Sequence, residues 1–220
     1  MEGFIKFISI SNFKRLLLLL VLLFVYTFIC AFSYVNAVST NIQNSVFRLH
    51  VIANSDSEED QNLKYIVRDK VLEYINSISG NQTSKEDVIQ LANENIDEIK
   101  KIAENIIYEN GYNYEVKLNI GNFAFPTKTY GDISLPPGYY DALTIEIGKA
   151  QGQNWWCVMF PPLCFVDVTS GIVPQESKKI IKENLSEEEY ELISENSNNI
   201  SFKFKIIEMF QNIDIKLAQK

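Results

Sequence analysis

Few residues in this 220-residue chain have the types and spacing that chemistry needs, and its single histidine is the natural place to begin. A cysteine nucleophile requires a base beside its thiolate, and His50 with Cys157 or Cys164 is the pair that could supply one. The plainer reading of His50 is a packed or hydrogen-bonded strand residue, and a disulfide between the cysteines would leave no nucleophile. Two cysteines and one histidine also fall short of the four-ligand spacing of structural zinc, so no metal and no other cofactor is expected. Asp167-Val168-Thr169-Ser170-Gly171 has a passing likeness to an aspartic-protease loop. Its spacing departs from Asp-Thr/Ser-Gly, and no second copy supplies the partner carboxylate of a dyad, so a turn after a strand is the better account. The acidic run of Asp56, Glu58, Glu59 and Asp60 lacks the ordered, glycine-containing spacing of a calcium loop and reads as helix capping.

Trp155 and Trp156 could offer aromatic faces to a glycan or to a partner protein. Strand alternation sends them to opposite faces, one into the core and one toward a contact. A cell-wall hydrolase could use them to grip glycan, with Asp141, Glu146 or Asp167 as acid or base, yet no spacing makes any of these a pair. Nothing in the sequence demands catalysis, and the chain is read as a non-enzyme. Its net charge of −8 opposes binding to phosphate-rich partners, which excludes nucleic acid as the expected ligand.

The elements that must position these residues follow from periodicity. Val46–Asn54 reads as a strand, with Phe47, Leu49, Val51 and Ala53 on one face and Val46, Arg48, His50 and Ile52 on a mixed second face. Ser55-Asp56-Ser57-Glu58-Glu59 opens a helix to about Ile78, and Thr83-Ser84 with Glu86-Asp87 opens a second that continues to Gly111. A half-buried strand is predicted over 112–120, and two more over 142–147 and 155–160, separated by a turn at 148–153. Helices follow near 174–184 and from Ser186, where Glu189 completes a capping box. From Ile200 to Leu217 a strand and a closing helix compete for the same residues. Strands interleaved with helices, without strict βαβ order, predict an α+β fold in which a mixed or antiparallel sheet packs with amphipathic helices.

The N-terminus is of another kind. Leu16–Phe32 carries no charge, and Lys6, Lys14 and Arg15 precede it, the pattern of a signal peptide or signal anchor near the lower length limit for spanning. Val35-Asn36-Ala37 offers a peptidase site after Ala37, so residues 1–37 are read as the export segment and 38–220 as one exported domain. The segment is the only part expected to contact a membrane. Export leaves two readings for Cys157 and Cys164, either a disulfide across the Pro161-Pro162 bend or two buried thiols.

Two stretches carry more information than any of these elements. One is Arg48-Leu49-His50-Val51-Ile52-Ala53-Asn54-Ser55-Asp56-Ser57, continuing through Glu59-Asp60-Gln61, Leu63-Lys64 and Val67-Arg68-Asp69. The other is Gly152-Gln153-Asn154-Trp155-Trp156-Cys157-Val158 through Phe160-Pro161-Pro162-Leu163-Cys164-Phe165. Over about residues 45–168 the chain resembles the stage II sporulation protein R family of endospore-forming bacteria. The resemblance implies a signalling protein made in the forespore and exported, secreted or N-terminally anchored, into the space between the septal membranes. There it would trigger a membrane-embedded aspartic protease of the mother cell, which processes the precursor of sporulation sigma factor E. Candidate contacts for that partner are Arg48, His50, Asn54, Asp56, Arg68 and one of Trp155 or Trp156. The competing role is structural, since an Asn-Ser-Asp strand exit often caps a helix and Arg68 could pair with Asp69 or Asp60.

Overall fold

The computed structural model describes residues 10–80, 84–164 and 173–194. The chain divides into two compact units, Met1–Val38 and Ser39–Lys220. The uncharged N-terminal run lies within helix α1 (Ile10–Asn44), whose stretch from Phe13 is, among the described residues, the one helix long and apolar enough to cross a membrane. Leu16 to Leu23 all stay exposed, as side chains meant for lipid do.

Period-two alternation produces strand β1 (Phe47–Ile52), and the chain then turns into α2 (Glu58–Ser79). Ser57 caps that helix by accepting the Asp60 backbone N–H, and Ser84 does the same for Asp87 at the start of α3 (Lys85–Glu94). Helix α4 (Ile96–Glu109) leads into the long strand β2 (Val116–Phe125). A short hairpin follows, β3 (Lys128–Tyr130) with β4 (Ile133–Leu135), then β5 (Gly138–Ile147) and β6 (Asn154–Phe160). Helices α5 (Gln175–Asn184) and α6 (Glu187–Ser194) complete the described chain. The capping box before α6 is present in both directions: Glu189 N–H donates to Ser186 Oγ, and Ser186 N–H donates to the Glu189 carboxylate.

The main sheet has the order β2-β5-β1-β6. Strand β1 runs parallel to β5 and antiparallel to β6, while β2 is antiparallel to β5, so the sheet is mixed and the class is α+β. Register sets Leu49 between Leu143 and Cys157, and Val51 between Ile145 and Trp155. This apolar face packs on Leu63, Val67, Val71 and Ile75 of α2 and on Ile99, Ala103 and Ile107 of α4, forming the main core.

The structure departs from the periodicity in three places. The helix expected from Ser84 to Gly111 is broken at Asn95, which leaves helical geometry at φ −110° and ψ 16°. Its side chain explains the break, because Asn95 Nδ2 donates to the Leu91 carbonyl and Asn95 Oδ1 accepts from Tyr74 of α2. The strand expected from Tyr112 starts at Val116 instead, since Tyr112 N–H still closes the helix end on the Ile107 carbonyl. The β3–β4 hairpin had no sequence signal, its strands being too short to show a period. The segments 165–172 and 195–220, with the Asp167 loop and the Ile200–Leu217 pattern, lie outside the described residues.

Leu49 is wholly enclosed at the centre of this core. Leu49→Ala is expected to cost about 2–5 kcal/mol, read as a lowered urea midpoint at unchanged slope in the detergent-solubilised chain.

Candidate interaction site

Where β1 ends, a polar clamp joins segments far apart in sequence. The Asp60 carboxylate is buried and accepts from Asn54 Nδ2 at 2.8 Å, from Ser55 Oγ at 2.5 Å and from the Tyr114 hydroxyl. Burial alone would raise its pKa, but the hydrogen bonds from Ser55, Asn54 and Tyr114 outweigh it and hold the group below the ordinary value. Asn54 works in both directions, because its Oδ1 also accepts the Lys149 N–H at 3.0 Å. The turn between β5 and β6 must therefore lie flat against the β1 exit. Gly148, at φ +59°, and Gly152 permit this, since a Cβ on the first would strike the Asn54 side chain and on the second the Ser55 carbonyl. Gln61 donates to the Ser55 carbonyl, and buried Lys64 donates to Gln61 Oε1 at 2.5 Å and to the Gln153 carbonyl at 3.0 Å. Burial, with the nearby Arg68 charge, lowers the Lys64 pKa to about 8 despite the opposing pull of Asp56.

The sheet face away from the main core carries a different arrangement. Arg48 is fully buried, with its Cζ 4.1 Å from the Phe125 ring centre, 4.6 Å from that of Tyr140 and 5.9 Å from that of Tyr130. Its Nη2 donates to the Tyr130 hydroxyl at 2.7 Å, and that hydroxyl donates to the Trp156 carbonyl at 3.2 Å. Arg48 Nε and Nη1 lack a well-formed hydrogen bond, although the Tyr140 hydroxyl also interacts with the guanidinium, and among the described residues no carboxylate forms an ion pair with it. Each aromatic contact contributes about 0.5–2 kcal/mol, so the three rings and the Tyr130 hydroxyl together work against a burial cost of several.

Next to Arg48, the His50 ring stacks on Trp156 with centres 3.7 Å apart and planes 15° apart, and its Nε2 donates to Asn154 Oδ1 at 2.6 Å. Burial lowers the His50 pKa to about 4, with Asn154 pulling upward and the Arg48 charge pushing further down. The imidazole is neutral at physiological pH.

The sheet keeps the candidate contacts from forming one patch. Arg48, His50 and Trp156 lie on one side. Trp155 lies on the other, where the Arg68 guanidinium sits 4.3 Å from its ring and Tyr65 meets it edge-on. Arg68 pairs with Asp69 at 2.6 Å, not with Asp60. Asn54 belongs to the clamp and Asp56 is exposed beside it. Arg48, expected on an accessible polar face, is enclosed instead, because the β3–β4 hairpin brings Tyr130 over it. Lys64, Gln153, Asn154, Phe125, Tyr130 and Tyr140 complete these arrangements and were missed, the aromatic ones because nothing local to them marks a long-range stack. Ala37 lies within α1 and is exposed.

Catalytic alternatives do not assemble among the described residues. Cys157 and Cys164 form a disulfide across the turn that follows β6, with Cα atoms 5.3 Å apart, and Cys157 faces away from His50. Asp141 is engaged by Lys85 at 2.7 Å, and Glu146, five positions along the same strand, takes the opposite face. The described residues contain no cluster of histidine, cysteine and carboxylate groups that could hold a metal.

Fold and site define a class: an α+β domain with a membrane-length helix in the same chain, a polar clamp at one end of its sheet and an aromatic enclosure around an arginine on one face. Comparison with known proteins gives that class a family. The family described as stage II sporulation protein R matches residues 43–170, a stretch that holds the whole main sheet, the clamp and the enclosure. The chain is also 39% identical over 143 residues to stage II sporulation protein R of Bacillus subtilis (strain 168), covering 64% of each chain, so it spans less than two thirds of that relative's length. This chain belongs to the stage II sporulation protein R family. No solved structure matches it.

Two outcomes follow from the geometry. Asp60→Ala leaves half-buried donors on Asn54 and Ser55 without their acceptor and is expected to cost about 1–3 kcal/mol in urea unfolding. His50 takes up a proton in the unfolded chain below its ordinary 6.5 but in the folded chain only near pH 4, so unfolding binds a proton between those values. Stability therefore falls as pH drops from 6.5 to 4, by up to about 3 kcal/mol, and His50→Phe, which keeps a ring on Trp156, removes that slope.

Proposed function

We propose that this chain is the exported signal of a sporulating cell: made in the forespore, delivered to the space between the septal membranes, and recognised there by a membrane-embedded aspartic protease of the mother cell. Once engaged, the protease processes the precursor of sporulation sigma factor E. Membership of the stage II sporulation protein R family carries this reading. The uncharged Leu16–Phe32 stretch of α1, which follows Lys14 and Arg15, supplies the export step, whether the chain is cut after Ala37 or keeps the stretch as an anchor.

A protein ligand can activate an enzyme only by binding its active state more tightly than its inactive one, and a hundredfold preference corresponds to about 2.7 kcal/mol. A rigid binding surface favours that discrimination, because little ordering cost is left to meet on contact. The clamp supplies such rigidity: it ties the β5–β6 turn to the β1 exit through Asn54 and to α2 through Lys64 and the Gln153 carbonyl. The rival reading, a wall hydrolase, needs two carboxylates in one cleft, and Asp141 and Glu146 lie on opposite faces of β5.

Co-production of this chain with the protease and the sigma-factor precursor in a non-sporulating host tests the reading directly. Precursor cleavage is expected when all three are present and absent when this chain is left out. Cleavage that is independent of the chain, or no cleavage with all three produced and exported, overturns it. Release of fragments from purified peptidoglycan by the chain alone would instead establish the hydrolase.

A further inference from the structure

The Cys157–Cys164 disulfide joins residues only seven positions apart. A cross-link acts chiefly by restraining the unfolded chain, and it restrains less the shorter the loop it closes. A unit as long as Ser39–Lys220 can also fold around one core without a staple. The effect of this bond is therefore local. Cys157 is buried in the main core and Cys164 is half-buried at its margin. Their bond folds the turn at 161–163 back along β6, where the Leu163 N–H donates to the Val158 carbonyl at 3.1 Å and the Leu163 side chain is enclosed. In that position the Pro162 carbonyl accepts from the Ser177 hydroxyl of α5 at 2.7 Å.

Helix α5 depends on such contacts. Its ten residues are too few to stay helical alone, and its buried residues are Ser177 and Ile181, with Ile180 packed at the edge of the main core. One of the two buried side chains thus bonds directly to the turn that the disulfide shapes. Once seated, α5 brings Lys178 to Asp132 in the turn between β3 and β4, at 2.5 Å, beside the Val173 N–H that donates to the same carboxylate at 3.1 Å. The clamp at Asp60 and the packing of α2 and α4 on the sheet involve neither cysteine bond nor α5 hydrogen bond.

We propose that the Cys157–Cys164 bond is an export-dependent latch: its closure outside the producing cell seats α5 on the domain, and the reduced chain inside lacks that seat. The inference rests on the export step of the signalling reading and adds the condition under which the exported domain is complete. Cytoplasmic thiol buffers keep such a pair reduced, and oxidising conditions are met only beyond the membrane. Closure consumes one disulfide of a thiol–disulfide oxidoreductase or of a small-molecule oxidant of the same class. The Cys164 thiolate attacks it and releases one thiol; the Cys157 thiolate then attacks the mixed disulfide and releases the other, so the two cysteine protons and two electrons pass to the oxidant. Cys164 is the sulfur that a reagent in solution reaches, while Cys157, 1% exposed, completes the exchange from within.

Limited trypsin digestion of the full-length, detergent-solubilised chain, with cleavage sites read by mass spectrometry, tests the latch. Cys30 is free, so a phosphine reductant acts on this one bond. Reduction, or Cys164→Ala, is expected to speed cleavage at Lys178, Lys179 and Lys182 in α5 about tenfold, with cleavage at Lys70 in α2 and at Lys100 and Lys101 in α4 unchanged. Ser177→Ala with the disulfide intact is expected to speed α5 cleavage several-fold. Equal α5 cleavage in oxidised and reduced chain overturns the proposal, as does equal acceleration in all three helices, which marks a general staple. No effect of Ser177→Ala overturns the route through the Pro162 carbonyl. Acid quenching and thiol alkylation of producing cells is expected to tag Cys157 and Cys164 in the chain still inside and neither in the exported chain; a disulfide in both pools overturns the dependence on export. In the co-production assay Cys164→Ala is expected to lower precursor cleavage about tenfold, following the loss of seated α5. If reduction releases α5 but the parent chain gives no precursor cleavage, the signalling reading fails and the latch stands. If cleavage needs the chain and Cys164→Ala supports it fully, the latch fails as a condition of signalling and the signalling reading stands.

Discussion

The carboxylate of Asp60 has to be held by donors once it is buried, and the way those donors are gathered organises the domain. Asn54 and Ser55 reach it from the end of β1, Tyr114 reaches it from just before β2, and Asn54 turns its other oxygen to the β5–β6 turn. A strand that lies between two others contributed some ninety residues later can slip in register, and a slip of one residue would exchange Leu49 for His50 on the core face. The clamp prevents this by tying the exits of β1 and β5 together. Any register other than the observed one separates Asn54 from Lys149 and leaves Asp60 buried with fewer donors.

With β1 held in place, alternation along one strand separates two environments. Phe47, Leu49 and Val51 enter the helix-covered core, while Arg48 and His50 enter an aromatic layer built from Phe125, Tyr140 and Trp156. The two layers differ in what they contribute. The first supplies apolar area, and the second holds polar groups under aromatic cover.

Much of this was legible from local pattern. The strand–helix order, the serine caps at 57, 84 and 186, the turn between β5 and β6, and the division of β1 into an apolar and a mixed face all follow from neighbours within one turn or one pleat. The disulfide was one of two open readings for an exported pair of cysteines, and the bend after β6 brings the two together. The break at Asn95 was not legible, because apolar residues keep their helical spacing through it and the cause is a side chain bonding its own backbone and a tyrosine of another helix. Trp155 and Trp156 were correctly sent to opposite faces, but which one met the histidine depended on strand order.

The sequence by itself determined the uncharged stretch of the N-terminal helix, the acidic character of the chain, the α+β class and the elements on which the candidate residues ride. Each of these depends on composition or on contacts a few residues apart. Tertiary structure alone decided that Arg48 is enclosed and not displayed, that Asp60 and not Asp69 anchors the clamp, and that Arg68 and Trp155 share a face the histidine does not. The reason is separation along the chain. Arg48 meets Tyr130 across 82 positions and Asn54 meets Lys149 across 95, and no local period carries information over such distances until the sheet has chosen its neighbours.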